Sequence, residues 1–133
     1  MKKITLATLE RQYANNGQEA ERIFRYTITG EIAKADNLPH NLATDCMTYQ
    51  VKSARATVCR GRDLQAYLAT DKATEFAYVS ADLSTAYIMS KAEYTEFVNK
   101  FGTLTRESAK NGRHEKIRLK AEGAEMREWL ARA

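Results

Sequence analysis

Two β-like runs, Phe76-Ala-Tyr-Val-Ser80 and Thr85-Ala-Tyr-Ile-Met-Ser90, are separated only by Ala81-Asp82-Leu83-Ser84, and they constrain this chain's fold more than any other stretch. They read as a hairpin or as neighbouring strands. Directly after them, Ser90-Lys-Ala-Glu93 has the pattern of a capping box, which predicts a helix over Lys91–Phe101 ended by Gly102. Upstream, Thr5 to about Gly30 reads as helix in two pieces. Ile4, Leu6, Leu9 and Tyr13 supply the first, Asn15-Asn16-Gly17 interrupts it, and Ala20, Ile23, Phe24, Thr27 and Ile28 form the buried stripe of the second, with Gly30 placed to close it.

Between these blocks, Glu31–Thr44 carries the only proline and reads as a loop, a length more often functional than filler. Met47–Cys59, rich in Tyr, Val and Thr, reads as strand and is broken by Gly61. Arg62-Asp63 then starts a short helix through Leu64, Tyr67 and Leu68. Asn111-Gly112 marks a turn, Glu115–Lys120 a short strand, and Ala121–Arg132 a terminal helix that buries Met126, Trp129 and Leu130. The order predicts a mixed α/β or α+β sandwich, a central mixed sheet flanked by helices.

At 133 residues, one domain spanning 1–133 is expected, and a content of 44% hydrophobic and 29% charged residues suits a globular protein rather than a disordered one. No run is long and apolar enough for a membrane span, and Met1-Lys-Lys-Ile-Thr-Leu lacks the apolar core of a signal peptide, so the expectation is a cytoplasmic protein without membrane contact. Cys46 and Cys59 form no CxxC, and with His40 and His114 they offer no zinc spacing; two buried thiols are favoured over a disulfide.

The net charge of +4 becomes informative once located. Cys46–Arg62 holds Lys52, Arg55, Arg60 and Arg62 and no acid, and Arg106–Lys120 holds six basic residues against Glu107 and Glu115. Two separated basic segments suit a polyanion, although ordinary solvated faces produce similar clusters.

The chemistry concentrates in Ala43-Thr-Asp45-Cys-Met-Thr-Tyr-Gln50-Val-Lys52-Ser-Ala-Arg55. On a strand, Gln50 and Lys52 project from one face while Val51 turns to the other. A carboxylate and amide-type oxygens are hard ligands suited to Mg²⁺ or Mn²⁺, and a lysine beside them can hold a phosphate oxygen. Such a set is equipped for phosphodiester hydrolysis. Asp45 and Gln50 are an odd number of positions apart, so a turn, a bulge or a tight hairpin near Cys46–Thr48 is required to bring them to one face; Asp36 is the reserve ligand.

These residues resemble the PD-(D/E)xK nuclease superfamily, in particular its Mrr-like branch, in which glutamine replaces a glutamate to give D…QxK. The resemblance covers Gly17–Arg55 and implies a restriction endonuclease-like αβββαβ core and a divalent-metal endonuclease acting on DNA. It further implies Asp45 as metal ligand, Gln50 in place of the second carboxylate with the Val51 carbonyl completing the inner shell, and Lys52 facing phosphate and water. Gly17-Gln-Glu-Ala-Glu21 is similar to a GxxxE of the first helix and makes Glu21 a further catalytic and metal-shell carboxylate.

Ser53, Arg55, Arg60 and Arg62 follow closely enough to contact the phosphodiester backbone together with Lys52. Lys110, Arg113, Lys116, Arg118 and Lys120 would extend that surface. A homodimer, each subunit cutting one strand, is one route by which so small a domain gains specificity. Other readings of the same residues stand beside this one. Asp45 suits a turn, Gln50 and Lys52 suit the solvent face of an amphipathic strand, and Glu19 competes with Glu21. For the whole chain, the alternatives are a non-catalytic nucleic-acid-binding module on the same fold or a protein-interaction domain.

Overall fold

The computed structural model describes residues 1–32, 42–44, 47–109 and 112–133; of residues 107–109 and 112–113 it describes the backbone alone. Asp36, Asp45, Pro39, His40, Cys46, Lys110 and Asn111 lie outside the described residues, as does most of the predicted 31–44 loop.

The hairpin expected from the two β-like runs is present as β5 (Glu75–Val79) and β6 (Thr85–Met89), with Phe76 opposite Met89 and Val79 opposite Ala86. Both faces of β5 are covered. Phe76 and Tyr78 enter one apolar core with Met89, Tyr94 and Phe97, while Ala77 and Val79 enter a second with Leu6, Ile23, Phe24 and Tyr49. Strict alternation of side chains along a strand makes this two-sided burial the natural consequence of an all-apolar run.

Around this hairpin a five-stranded mixed sheet runs in the order β1-β6-β5-β3-β2, with β1 at Lys2–Thr5, β2 at Leu42–Ala43 and β3 at Thr48–Ser53. β3 is parallel to β5, pairing Gln50 with Phe76 and Lys52 with Tyr78; the other neighbours are antiparallel. Parallel neighbours need a crossover, and this one contains β4 (Thr57–Arg60) and α2 (Leu64–Thr70). β4 belongs to a second, antiparallel sheet in the order β4-β8-β7, where β7 is Gly102–Ala109 and β8 is Gly112–Leu119.

α1 (Asn16–Thr29) covers one face of the first sheet through Ala20, Ile23 and Phe24, and the Phe24 ring meets Tyr49 edge-on at 5.4 Å. Full burial of Ile23 and Phe24 contributes about 1.5–3 kcal/mol each. Asn15 caps this helix by accepting from the Gln18 amide, and Gly30, at φ +75°, closes it in the left-handed conformation. The opposite face is covered by α2, α3 (Lys91–Phe101) and α4 (Ala124–Leu130), whose Leu68, Phe97, Phe101, Met126 and Trp129 share one core with Leu119 of the second sheet. The Ser90–Glu93 capping box forms as the spacing predicts.

Two expectations are corrected. The first piece of the N-terminal helix is instead strand: Lys2–Thr5 pair with β6, and Ile4 and Leu6, two residues apart, face the core around α1. Their spacing of two is a strand period, and pairing with an edge some eighty residues later decides the matter. The single strand expected over Met47–Cys59 is two strands in different sheets, divided at Ala54-Arg55-Ala56, where the Ala56 amide donates to the Ser53 carbonyl at 3.1 Å and Arg55 takes φ +64°. Gly102 ends α3 as expected, and β7 begins at the same residue. A Cβ there would stand 2.5 Å from the Val98 carbonyl oxygen, so the abrupt helix-to-strand join excludes a side chain.

Residues 7–15, without helix or strand, are tied down by a buried pair on α1. Glu19 Oε1 accepts from the Gln12 and Tyr13 amides at 3.2 and 3.0 Å and from Arg22 Nε at 3.1 Å, and Oε2 accepts from Arg22 Nη2 at 3.1 Å. Arg22 also donates to the Glu10 carbonyl at 2.6 Å. Burial would raise the Glu19 pKa, but the bonds from Arg22 and the two amides outweigh it and hold the carboxyl below its ordinary range.

Candidate active site

Gln50 and Lys52 share one face of β3, while Tyr49, Val51 and Ser53 share the other. Tyr49 and Val51 pack on the α1 core, and Ser53 is buried at 3% exposure. Ser53 therefore stands away from the Gln50 and Lys52 side chains rather than beside them, against the expectation that it contacts phosphate. The parity of the strand, with Ser53 one position past Lys52, accounts for this. β2 pairs only with Tyr49 and Thr48, so from Gln50 onward that edge of β3 meets no described strand.

Lys52 Nζ donates to the Thr57 carbonyl oxygen at 2.8 Å, bridging the start of β4 to the end of β3. Burial lowers the ammonium's pKa from its ordinary value, and the charges of Glu21, Asp71 and Cys59 oppose that fall only in part. Glu21, on α1, thus acts electrostatically on Lys52. Its competitor Glu19 is committed to Arg22 and to backbone amides. The charge of Glu21 reaches Lys52, although α1 packs on the other face of β3, against Tyr49 and Val51.

Two residues of α2 and its C-terminus complete the face, and sequence patterning did not single out either as functional. Gln50 Nε2 donates to Tyr67 Oη at 3.1 Å. The Tyr67 hydroxyl is pushed up to about 12 by burial, by the charge of Asp71 and by hydrogen bonding to that carboxylate. A hydroxyl whose proton is drawn to a carboxylate has lone pairs left to accept, which fits the Gln50 amide presenting its NH₂ to Tyr67 and leaves Oε1 directed elsewhere. Asp63 starts α2 by capping the Ala66 amide at 3.0 Å, and that cap sets where Tyr67 falls. The Tyr94 hydroxyl, buried without a hydrogen-bond partner among the described residues, lies close enough to Tyr67, Cys59 and Asp71 for their charges to raise its pKa beyond the effect of burial.

Asp45 lies outside the described residues. Thr44 and Met47, which flank residues 45–46, are joined: the Thr44 amide donates to the Met47 carbonyl at 2.8 Å and the Met47 amide to Thr44 Oγ1 at 3.2 Å. Among the described residues no group of three His, Cys, Asp or Glu side chains is placed to hold a metal ion. The hard oxygens among them that bear on Lys52 or stand beside it are the Glu21 and Asp71 carboxylates and Gln50 Oε1, a donor type that suits Mg²⁺ or Mn²⁺ rather than a thiolate-seeking metal. Cys59 is a buried free thiol, raised in pKa chiefly by that burial.

The basic residues divide. Arg62 is held in a two-point ion pair by Glu115 at 2.9 and 3.1 Å, and Arg106 shares the same carboxylate at 3.5 Å. Arg55 and Arg60 are exposed, the first at the β3–β4 turn and the second at the end of β4. No helix among the described residues is long and apolar enough to cross a membrane. Comparison of the chain with protein-family models, with curated proteins and with solved structures found no match.

Proposed function

We propose that this chain is a divalent-metal-dependent endonuclease that hydrolyses phosphodiester bonds of DNA, with its centre on Gln50, Lys52 and Glu21. The observation that carries this reading is the state of Lys52, a partly buried ammonium of lowered pKa with a single carbonyl as hydrogen-bond partner among the described residues, within electrostatic reach of Glu21 and Asp71 and next to an oriented amide. An ammonium has three donors, so two remain for phosphate oxygens or for the attacking water. Bound Mg²⁺ or Mn²⁺ would supply a polarised phosphoryl oxygen and a water of lowered pKa. Gln50 Oε1, Glu21, Asp45 and the Val51 carbonyl are the proposed ligands, with Asp36 in reserve. Tyr67 holds the Gln50 amide, and Arg55 and Arg60 lie beyond Lys52 to steady the flanking backbone.

The element order α1-β2-β3-β4-α2-β5 supports the finer reading of a restriction endonuclease-like αβββαβ core, with the difference that β4 pairs in the second sheet. In this reading the protein works in the cytoplasm, alone or as a homodimer.

The test is supercoiled plasmid titrated with Mg²⁺ and Mn²⁺, using wild type and Lys52→Ala purified identically. Nicking or linearisation by wild type, reduced at least a hundredfold in the variant while its thermal transition is retained, is the expected result. Cleavage kept by Lys52→Ala overturns the assignment. If neither protein cuts plasmid but both retain DNA in a salt-sensitive manner, the non-catalytic binding module replaces the nuclease.

A further inference from the structure

The outer face of the second sheet carries a cluster of cations of which the site above uses only Arg60. Residues directly opposite one another in a ladder share a face, and the register fixes two rows. Thr57, Arg118 and Thr103 form one; Arg60, Lys116 and Thr105 form the next. Ile117 and Leu119, alternating with the basic residues on β8, turn the other way onto the core, and Cys59 lies opposite Ile117. The two rows hold three cations and three threonines; in the next row of the same parity the register pairs His114 with Glu107, whereas Glu115, the acid of β8 that pairs Arg62 and Arg106, falls on the opposite face. Thr57, Arg60, Thr103 and Arg118 are exposed.

Two contacts join this face to β3. Lys52 Nζ holds the carbonyl of Thr57, and Arg118 Nε donates to the Arg55 carbonyl at 2.6 Å, drawing the guanidinium over the β3–β4 turn. Successive same-face residues of a strand are about 6.6–6.8 Å apart, comparable to the separation of neighbouring phosphates along a nucleic-acid strand. These two rows offer cations and hydroxyl donors. Neither row contains a Phe, Tyr or Trp, so there is nothing on them to stack an unpaired base or to enter a lipid layer.

We infer that the outer face of the β4-β8-β7 sheet is a docking surface for the phosphate backbone of duplex nucleic acid, through Arg60, Lys116 and Arg118 with the three threonines as supporting donors. The inference rests on the reading of β3 as a phosphodiester-cleaving centre, whose substrate this face would hold in register. Binding here is independent of sequence and of metal.

The experiment measures fluorescence anisotropy of a labelled 20-base-pair duplex in EDTA across a salt series, so that cleavage plays no part. The proteins are wild type, the triple variant Arg60→Gln, Lys116→Gln, Arg118→Gln, and a control of equal charge change on other surfaces, Lys2→Gln, Lys3→Gln, Lys100→Gln. Loss of three phosphate contacts should weaken binding at least tenfold near 0.1 M salt and lower the log–log salt slope by about 2.7, at roughly 0.9 per contact. The control should change far less. Thr103→Asp, which sets a negative charge on the same face at an exposed position without removing an existing contact, should weaken binding in the same direction and guards against misfolding of the triple variant. Equal losses in the triple variant and the control, unchanged binding in Thr103→Asp, no binding of duplex by wild type, or equal or tighter binding of oligo-dT or anionic vesicles with the same residue dependence would each overturn the inference. Intact binding by a protein that never cuts DNA would instead overturn the nuclease reading and leave the surface standing.

Discussion

Glu19 and Lys52 are both ionisable groups withdrawn from water, and the structure treats them in opposite ways. Glu19 accepts four hydrogen bonds from fixed donors, and its pKa is held below the ordinary 4.5. Lys52 donates to one carbonyl, and its pKa falls below the ordinary 10.5 because burial outweighs the acids around it. A charge whose partners are complete fastens the chain to itself. One left short of partners costs stability and keeps its bonding capacity for something that arrives later. The difference separates the two acids of α1 as well, since Glu19 is consumed by structure while Glu21 contributes its charge to the surroundings of the lysine.

The comparison breaks most visibly at Glu19. Glu19→Ala leaves Arg22 buried without its carboxylate and strands the Gln12 and Tyr13 amides, and should destabilise the protein by about 3–5 kcal/mol in chemical denaturation. Lys52→Met should be neutral or mildly stabilising in the same assay. Comparable losses in the two variants would erase the distinction drawn between them.

A smaller effect is expected at Tyr67. Tyr67→Phe removes the hydroxyl that holds the Gln50 amide while keeping the ring, and should lower cleavage, or raise the Mg²⁺ concentration needed for it, by about tenfold with little change in stability. An unchanged metal titration would show that the amide needs no such support.

The smallest effect is in pH dependence. Because the folded Glu19 binds its proton less readily than the unfolded one, its stabilisation is present above 4.5 and is lost as pH falls through the lower folded value. Lys52 is also depressed, so the unfolded chain holds more protons between the lowered value and 10.5, and stability should rise with pH across that alkaline window. Difference curves of wild type against Glu19→Gln and against Lys52→Met, followed by denaturant midpoint, should isolate the acid and alkaline limbs respectively. An alkaline limb that persists in Lys52→Met would assign it to another group.

What could be read from the sequence follows the range of the forces involved. The β5–β6 hairpin, the Ser90 capping box and the Gly30 stop are set within a few residues, and each is in place. β1 was misread because Ile4 and Leu6 find their partners on β6, far along the chain, and β4 was merged with β3 because nothing between Ser53 and Thr57 announces a change of sheet except the left-handed Arg55. The pairing of Gln50 with Lys52 on one face was legible from strand parity alone. Tyr67 and Asp71 were not, since they reach β3 through the placement of α2, and the choice between Glu19 and Glu21 waited on Arg22 and the 10–13 segment.

The three-residue turn at Ala54-Arg55-Ala56 has a consequence for the order in which the molecule assembles. β3 finds its parallel partner β5 about 26 residues on, but β4, tied to it by that short link and by the Lys52 to Thr57 bond, must wait for β8, about sixty residues further along the chain. Contacts of such long reach form slowly. During synthesis the lysine would therefore emerge early and remain without its carbonyl anchor until the second sheet closes, so that a chain halted before β8 would carry the Gln50–Lys52 strand but not the geometry that holds it.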